Sequence, residues 1–319
     1  LGLSSRWWLY GALYTSAIVI GGVYFLRRHA NSRYHKVRTL SVIFSQVVLA
    51  FSLPYVMEMF ETPGYNFAIF WPLKIDNFYP SSIMSQPLPF MLYSFLGALV
   101  LVPLFTFFFG KRWYCSWVCG CGGLAETAGE PFRHLSSKSA RAWRFEQISI
   151  HTIMILAFTT TAIVIANFVL ESKYGAASYA ESFPVFSSFA GRLKGFYGFF
   201  VGALLSGVLG VGLYPLMGSR VWCRFFCPLA ALMGLIQKIG RFRITVKKDM
   251  CISCGNCSTY CEMGIDVRGY AQSNQSFKRA SCVGCGMCAH VCPRGVLKLE
   301  NKWDFASWGA DIGRKVVDI

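Results

Sequence analysis

Charged residues are scarce in this chain, and their scarcity excludes an ordinary soluble protein. Asp, Glu, Lys and Arg make up 14% of the 319 residues, whereas a soluble domain usually has about 25%. Hydrophobic residues make up 54%, and the mean hydropathy is +0.44. A chain this apolar must leave much of its surface in lipid, which predicts a membrane protein with room for one small additional domain.

Nucleotide-binding patterns are absent as well. The chain contains neither a G-x-x-x-x-G-K-[S/T] phosphate loop nor a dinucleotide-binding fingerprint. The first residue is Leu1 rather than Met, so we expect that a leader or a longer N-terminal part precedes it, or that the start is disordered. No signal-peptide cleavage pattern is visible in the given residues.

Five apolar stretches are long enough to cross a bilayer, since a hydrocarbon core of about 30 Å needs about 20 apolar residues in a helix. No stretch carries a charged pair near its middle, which counts against an ion-coupled transporter. His151 is the one histidine in a stretch, so a bis-histidine haem is not expected; His151 is interpreted as a polar residue facing the bundle or as part of a quinone site. The stretches are about Trp7–Leu26, Leu40–Phe60, Leu88–Gly110, Ile148–Leu170 and Gly195–Gly218.

The basic residues lie on one side of the predicted membrane. The net charge is +16, and 26 of the 31 Lys and Arg fall in segments 27–39 and 111–147 and after residue 218. This positive-inside pattern predicts an N-terminus outside and a C-terminus in the cytoplasm. Because the pattern accounts for the basic charge, nucleic acid is not expected as a partner.

Eight of the 13 cysteines lie in a repeated C-x2-C-x2-C-x3-C pattern between residues 251 and 292. Three cysteines at two-residue gaps fit one face of a four-iron cube, and the fourth ligates the neighbouring cube. The pattern predicts two [4Fe–4S] clusters, whose ligands are Cys251, Cys254, Cys257 and Cys292 for the first and Cys282, Cys285, Cys288 and Cys261 for the second. Two zinc sites are the alternative, although four-cysteine zinc sites more often use two separated C-x2-C pairs.

The residues around these cysteines predict a small ferredoxin-like domain. Segments 241–246 and 295–299 read as strands that would pair. Glu262 stands where proline commonly follows the fourth cysteine, and His290 is interpreted as a surface residue without a role. The predicted fold is an all-α transmembrane bundle of about five spans with an α+β ferredoxin-like C-terminal domain. The predicted boundaries are residues 1–239, 240–300 and a C-terminal tail at 301–319.

A second cysteine repeat follows the third and fifth spans. Gly110-Lys-Arg-Trp-Tyr-Cys115-Ser-Trp-Val-Cys119 aligns with Gly218-Ser-Arg-Val-Trp-Cys223-Arg-Phe-Phe-Cys227. Residues four apart share a helix face, so each pair would lie on one face of a helix, and two such pairs facing each other would supply four thiolates. Four thiolates could hold a third iron–sulfur cluster or a soft metal such as Cu(I), or act as redox dithiols. Ordinary buried thiols are the structural alternative, and Cys121 has no counterpart in the second copy.

Both repeats together resemble the membrane ferredoxin-type proteins of the NapH type and the C-terminal half of the NosR type. The resemblance implies a multi-pass subunit of the bacterial inner membrane that relays electrons between a quinol pool or a cytoplasmic donor and a partner redox protein. It would be a component of an oxidoreductase complex rather than a self-contained enzyme. Gly120 departs from the usual proline after the first pair, and the covalent-flavin motif S-G-A-T of the NosR type is absent.

Two further functions remain open. Proteins of the CcoG type share the same elements and imply an assembly or maintenance factor that reduces a metal centre, such as copper, in a respiratory enzyme. A redox sensor whose clusters control a partner is the other alternative.

Overall fold

The computed structural model describes residues 6–60, 65–73, 84, 86–175, 179 and 182–301, and every structural statement below concerns these residues. The predicted tail at 301–319 lies outside them except for Asn301, the last residue of the second strand.

Helices dominate the chain. In chain order they are α1 Arg6–Arg28, α2 Arg33–Met59, α3 Leu88–Phe109, α4 Arg112–Cys115, α5 Gly120–Glu126, α6 Ala140–Tyr174, α7 Pro184–Gly212, α8 Tyr214–Met217, α9 Pro228–Ile239, α10 Asn256–Thr259, α11 Val267–Gln272 and α12 Met287–His290. A 3₁₀ turn occupies Glu130–Leu135, and a π turn occupies Trp222–Phe226. The strands are β1 Phe242–Val246 and β2 Leu297–Asn301.

Five of the helices, α1, α2, α3, α6 and α7, are long and apolar enough to cross a membrane. At most 33% of the residues in their most apolar windows are buried inside the protein, as expected of helices that face lipid. The predicted number of spans is confirmed, and the chain is a multi-pass membrane protein.

The fifth span is displaced from its predicted position at Gly195–Gly218. Helix α7 begins at Pro184 and ends at Gly212, and α8 follows as a separate turn that begins at Tyr214. Pro215 lies in the first turn of α8, where its missing N–H costs no intrahelical hydrogen bond. Helix α6 has 35 residues, or about 52 Å at 1.5 Å per residue, so it extends beyond the hydrocarbon core.

The first two spanning helices form a tight hairpin. Helix α1 ends at Arg28 and α2 begins at Arg33, where the Ser32 hydroxyl accepts a hydrogen bond from the N–H of His35 at 3.4 Å. A connection this short makes the two helices antiparallel neighbours. Short helix α5 packs against both of them through a small apolar cluster that contains Ile18, Val42 and Leu124.

The C-terminal domain is continuous with the helical core. Strands β1 and β2 pair antiparallel, with Phe242 opposite Asn301 and Val246 opposite Leu297, which confirms the predicted strands. Phe242 and Ile244 belong to the same buried cluster as Tyr114, which follows the third span in the chain. The predicted fold class, a transmembrane helical bundle with a small α+β domain, is confirmed.

Candidate iron–sulfur sites and membrane-edge cysteines

Two cavities lie in the C-terminal domain, and each is lined by one predicted set of four cysteines. The first contains about 350 Å³ of empty space and the second about 390 Å³. Cys292 from the second motif lines the first cavity, and Cys261 from the first motif lines the second. The chain therefore brings the eight cysteines together in the interleaved arrangement that the spacing predicts. The cysteine lining is Cys251, Cys254, Cys257 and Cys292 in one cavity and Cys261, Cys282, Cys285 and Cys288 in the other.

The chemistry of these donors fits iron–sulfur clusters. Burial raises the pKa of the Cys257 and Cys261 thiols to about 11 each, although backbone N–H groups that point at both sulfurs oppose this rise. Such thiols stay protonated at neutral pH unless a cationic centre binds them as thiolates. The N–H of Val296 also donates to Cys292 Sγ at 3.4 Å. Backbone donors to cluster sulfurs are a usual feature of iron–sulfur sites.

The second cysteine motif packs directly on the membrane domain. Tyr34 Oη donates to the carbonyl of Gly284 at 2.9 Å, and Ser116 Oγ donates to the carbonyl of Val283 at 2.9 Å. Gln237 Nε2, on α9, donates to the carbonyl of Cys282 at 2.9 Å. Helices α2 and α9 and the segment after α4 thus fix the second cavity against the membrane domain.

Two equivalent glycines allow the effect of backbone strain on stability to be distinguished from the effect of this docking. Gly255 and Gly286 follow the second cysteine of their motifs, with φ of +81° and +83°. A Cβ on Gly286 would lie 2.7 Å from Tyr34 Cε1, whereas a Cβ on Gly255 would meet only Arg268, at 3.9 Å. The two sites therefore share the backbone conformation and differ in what surrounds it.

We expect Gly286→Ala to destabilise the protein more than Gly255→Ala. Both substitutions carry the cost of a positive φ, about 1–2 kcal/mol, but overpacking against Tyr34 adds about 1–3 kcal/mol at Gly286 alone. Thermal unfolding of the two variants in detergent measures the difference. Equal midpoints would contradict the docking contact, and a Gly286→Ala,Tyr34→Leu double variant should recover part of the loss.

All four membrane-edge cysteines lie in one buried region. Cys115, Cys119, Cys223 and Cys227 are 3–7% exposed and belong to one core cluster. Burial raises the pKa of Cys227 well above its usual value, and negative charge on the other three thiols would raise it further. Electrostatic repulsion between thiolates changes a pKa only when their sulfur atoms lie close together in a buried site. The structure therefore brings the predicted quartet together.

The predicted helical pairing of these cysteines is wrong. Cys115 ends α4, and Cys119 has extended backbone angles and immediately precedes α5; Cys227 is likewise extended and immediately precedes α9. The N–H of Cys119 donates to the carbonyl of Tyr114 at 2.8 Å, and that of Cys227 to Trp222 at 3.0 Å. The same wide turn therefore joins the two cysteines of each pair, because the second cysteine caps a new helix instead of continuing the first.

Positive charge surrounds the membrane-edge quartet. Buried Lys111 opposes the rise that burial causes in the pKa of Cys115. Arg220 Nη1 donates to the Cys115 carbonyl at 3.0 Å and lies 3.8 Å from Cys223 Sγ. The unrepeated Cys121 donates its thiol proton to Cys119 and thereby lowers the pKa of Cys119. The positive charges of Lys111 and Arg220 partly offset the effect of burial, which still raises the pKa of Cys115, Cys223 and Cys227.

A buried ion-pair network joins the membrane domain to the first cysteine motif. Arg38 Nη2 lies 2.8 Å from Glu126 Oε2, and Arg220 pairs with the same carboxylate. Arg220 Nε lies 3.1 Å from Glu262 Oε1, and Arg133 Nη2 lies 3.5 Å from Glu262 Oε2. Burial alone would raise the pKa of Glu262, but Arg133, Arg220 and Arg38 hold it below its usual value.

Sequence reasoning missed this network and treated Glu262 only as a substitute for proline. The available signal was a carboxylate in a turn position that needs none. Arg38, which the sequence assigned to a basic connecting segment, is fully buried in α2. His290 is exposed at the end of α12, as interpreted from the sequence, and its contacts with His29 and His35 were not foreseen. His151 contacts the carbonyl of Gln147 in its own helix through Nδ1 at 2.6 Å.

Two family models match the chain. A 4Fe-4S dicluster domain covers residues 244–299, and a 4Fe-4S binding domain matches twice, at residues 90–139 and 199–247. The double match coincides with the two membrane-edge cysteine repeats. The cofactors of the chain are therefore iron–sulfur clusters.

Curated relatives agree with these models. YccM of Escherichia coli strain K12, whose name describes an electron transport protein, is 23% identical over 73% of this chain and 66% of its own length. The regulatory protein NosR of Pseudomonas aeruginosa is 25% identical over 83% of this chain and 35% of its own. The methylamine utilization ferredoxin-type protein MauN of Methylobacillus flagellatus is 24% identical over 51% of this chain and 52% of its own.

The chain thus spans between about a third and two thirds of the length of these relatives. No solved structure matches it. The predicted resemblance is confirmed by the family models and the relatives together. The chain is an iron–sulfur protein of the membrane that carries 4Fe-4S family domains and is similar to YccM, NosR and MauN.

Proposed function

We propose that the chain relays electrons between a quinol pool or a cytoplasmic donor and a partner redox protein, as a subunit of a membrane complex. Cys251, Cys254, Cys257 and Cys292 would hold one [4Fe–4S] cluster, and Cys282, Cys285, Cys288 and Cys261 would hold the other. When bound, each cluster would accept and release single electrons. The protein residues would hold the clusters, exclude water from them and fix their distance from the membrane domain.

The position of Arg220 carries this proposal. Its guanidinium contacts the Cys115 carbonyl and lies near Cys223 Sγ, and it pairs with Glu262, the residue after Cys261. One buried side chain therefore connects the membrane-edge quartet with the second ferredoxin site. A fixed connection of this kind supports electron transfer between the two regions, because it holds them in one arrangement.

The membrane-edge quartet would form a third redox centre. A 4Fe-4S binding family model covers both cysteine pairs, and the buried sulfurs lie beside Lys111 and Arg220. Four converging thiolates suit an iron–sulfur cluster. They also suit Cu(I), a soft ion that prefers thiolates, and this observation favours the second candidate function, a factor that reduces a copper centre in another protein.

The orientation follows from the charge distribution. Lys and Arg are concentrated in segments 27–39 and 111–147 and after residue 218. This distribution supports an N-terminus outside a bacterial inner membrane and clusters on its cytoplasmic side. Fluorescent labelling in spheroplasts would test this arrangement, by comparing the accessibility of single cysteines introduced near each end of the chain.

Quinol oxidation tests the relay most directly. In anaerobic liposomes, a reduced quinone analogue should bleach the visible cluster absorption of the wild-type protein. Cys223→Ser should lose this reduction while dithionite still reduces the two C-terminal clusters. Wild-type iron content should exceed the roughly eight atoms that two four-iron clusters require.

Three outcomes would count against the relay. Dithionite reduction without any quinol reduction would remove the quinol pool as a donor. Full activity in Cys223→Ser would exclude the membrane-edge quartet from the path. Tight Cu(I) binding that depends on Cys119 and Cys223, with only about eight iron atoms per chain, would favour the copper-reducing function.

A further inference from the structure

Three of the five histidines of the chain meet where the α1–α2 hairpin touches the second cysteine motif. His29 lies in the hairpin, His35 in the first turn of α2, and His290 at the end of α12. Their ring centres are 5.3 Å apart for His29 and His290, 4.8 Å for His35 and His290, and 5.8 Å for His29 and His35. Segments more than 250 residues apart in the sequence thus converge on one histidine cluster.

Two of the three histidines have the nitrogen–nitrogen separation of imidazoles around one metal ion. His29 Nδ1 lies 3.3 Å from His290 Nε2. In a tetrahedral site with metal–nitrogen bonds of about 2.0–2.1 Å, two ligand nitrogens stand about 3.3 Å apart and ring centres about 5 Å apart. The three measured ring separations lie around this value.

One nitrogen of the cluster is buried without a partner. His35 is 1% exposed, and its Nε2 has no hydrogen-bond partner among the residues that the structure describes. Its other nitrogen, Nδ1, lies 2.7 Å from the hydroxyl of Ser32. A buried nitrogen that makes no hydrogen bond is costly unless a ligand uses its lone pair.

The outer contacts of the cluster are those of metal-binding histidines. His29 Nε2 lies 3.4 Å from the carboxylate of Glu130, while its Nδ1 faces His290. Metal-ligating histidines commonly donate their second ring nitrogen to a carboxylate or a neutral oxygen, which fixes the tautomer. Glu130 would serve His29 in this way and Ser32 would serve His35.

We propose that His29 Nδ1, His35 Nε2 and His290 Nε2 bind one divalent transition-metal ion of the Zn(II) or Cu(II) class. Imidazole nitrogens suit these ions, and three protein ligands leave the fourth position open for water or an exchangeable ligand. In the described part of the chain, no three donor side chains already surround one point. Binding would therefore draw the three rings together by small rotations.

The surrounding charges permit a cation. Arg28 Nη1 pairs with Glu130 Oε2 at 3.1 Å, and Arg38 pairs with Glu126 at 2.8 Å. Arg133 pairs with Glu262, and Arg220 shares both Glu126 and Glu262. Arg28, Arg38 and Arg133 thus each contact a carboxylate. The proposal is independent of the electron relay, because metal binding by these histidines does not require the clusters to exchange electrons.

Zinc binding to the intact, cluster-loaded protein tests the proposal, since Zn(II) has no redox chemistry that could oxidise the clusters. Equilibrium dialysis against buffered Zn(II) should show one tight equivalent per chain with unchanged iron content. Affinity should fall at least about 100-fold in His29→Ala and in His35→Gln, and about 10–100-fold in Glu130→Gln, which removes an outer contact.

His134→Ala is the matched control, because this exposed histidine lies in the same 3₁₀ turn as Glu130 and outside the cluster. It should bind zinc like the wild type. Equal affinity in His29→Ala and wild type, or zinc uptake that displaces iron stoichiometrically, would overturn the proposal. If buried His35→Gln fails to fold, His29→Ala and His290→Ala still decide the matter.

Discussion

Replacement of Cys254 by Ser is expected to remove one of the two C-terminal clusters and, with it, about half of the iron that those clusters hold. Cys292→Ser should remove the same cluster, although Cys292 belongs to the other motif, because both side chains line the first cavity. Iron analysis together with electron paramagnetic resonance of the reduced protein measures which cluster is lost in each variant.

The second cavity supplies a matched pair of substitutions. Cys261→Ser and Cys285→Ser should share one residual spectrum, which differs from that of the first pair. If Cys292→Ser instead gave the spectrum of Cys285→Ser, each motif would bind its own centre and the interleaved arrangement would be wrong. Iron content that stays unchanged in Cys254→Ser would contradict the ligand assignment itself.

Breaking the buried ion-pair network at Glu262 is expected to have the largest effect on stability. Glu262→Gln leaves Arg220 and Arg133 near the second cavity with less compensating negative charge. Removing one partner of a buried pair commonly costs about 3–5 kcal/mol. The unfolding midpoint in detergent should fall accordingly, and the second cluster should be lost before the first when the protein is warmed.

Glu58→Gln is the control for this substitution, because Glu58 is an exposed carboxylate near the end of α2. Its removal should change stability by less than about 1 kcal/mol. A Glu262→Gln protein as stable as Glu58→Gln would show that the network contributes little to the docking. Simultaneous loss of both clusters would show that the network supports the whole domain and not the second site in particular.

The number of spans, the two strands and the grouping of the eight cysteines could all be predicted from the sequence, because each depends on local pattern. Apolar runs fix the spans, and the C-x2-C-x2-C-x3-C spacing fixes which cysteines share a cavity. The division into residues 1–239, 240–300 and 301–319 stays a prediction. The C-terminal end of the fifth span was misplaced, because hydropathy continues past Leu213 while the helix does not.

Features that depend on contacts between distant segments escaped prediction. Arg38, Arg220 and Glu262 look like ordinary surface charges in the sequence, and they pair only once α2 and the two cysteine repeats pack together. The helix-face argument for Cys115 and Cys119 failed because periodicity cannot reveal a break between two helices of similar composition. The cluster of His29, His35 and His290 likewise has no local signal.

Spectroscopy of the anaerobically purified, dithionite-reduced wild-type protein tests the central claim most directly. Two ferredoxin-type clusters held close together predict a brown protein with at least about eight iron atoms per chain and low-temperature paramagnetic signals of two interacting reduced [4Fe–4S] centres. A colourless protein that contains zinc and no iron would contradict the account.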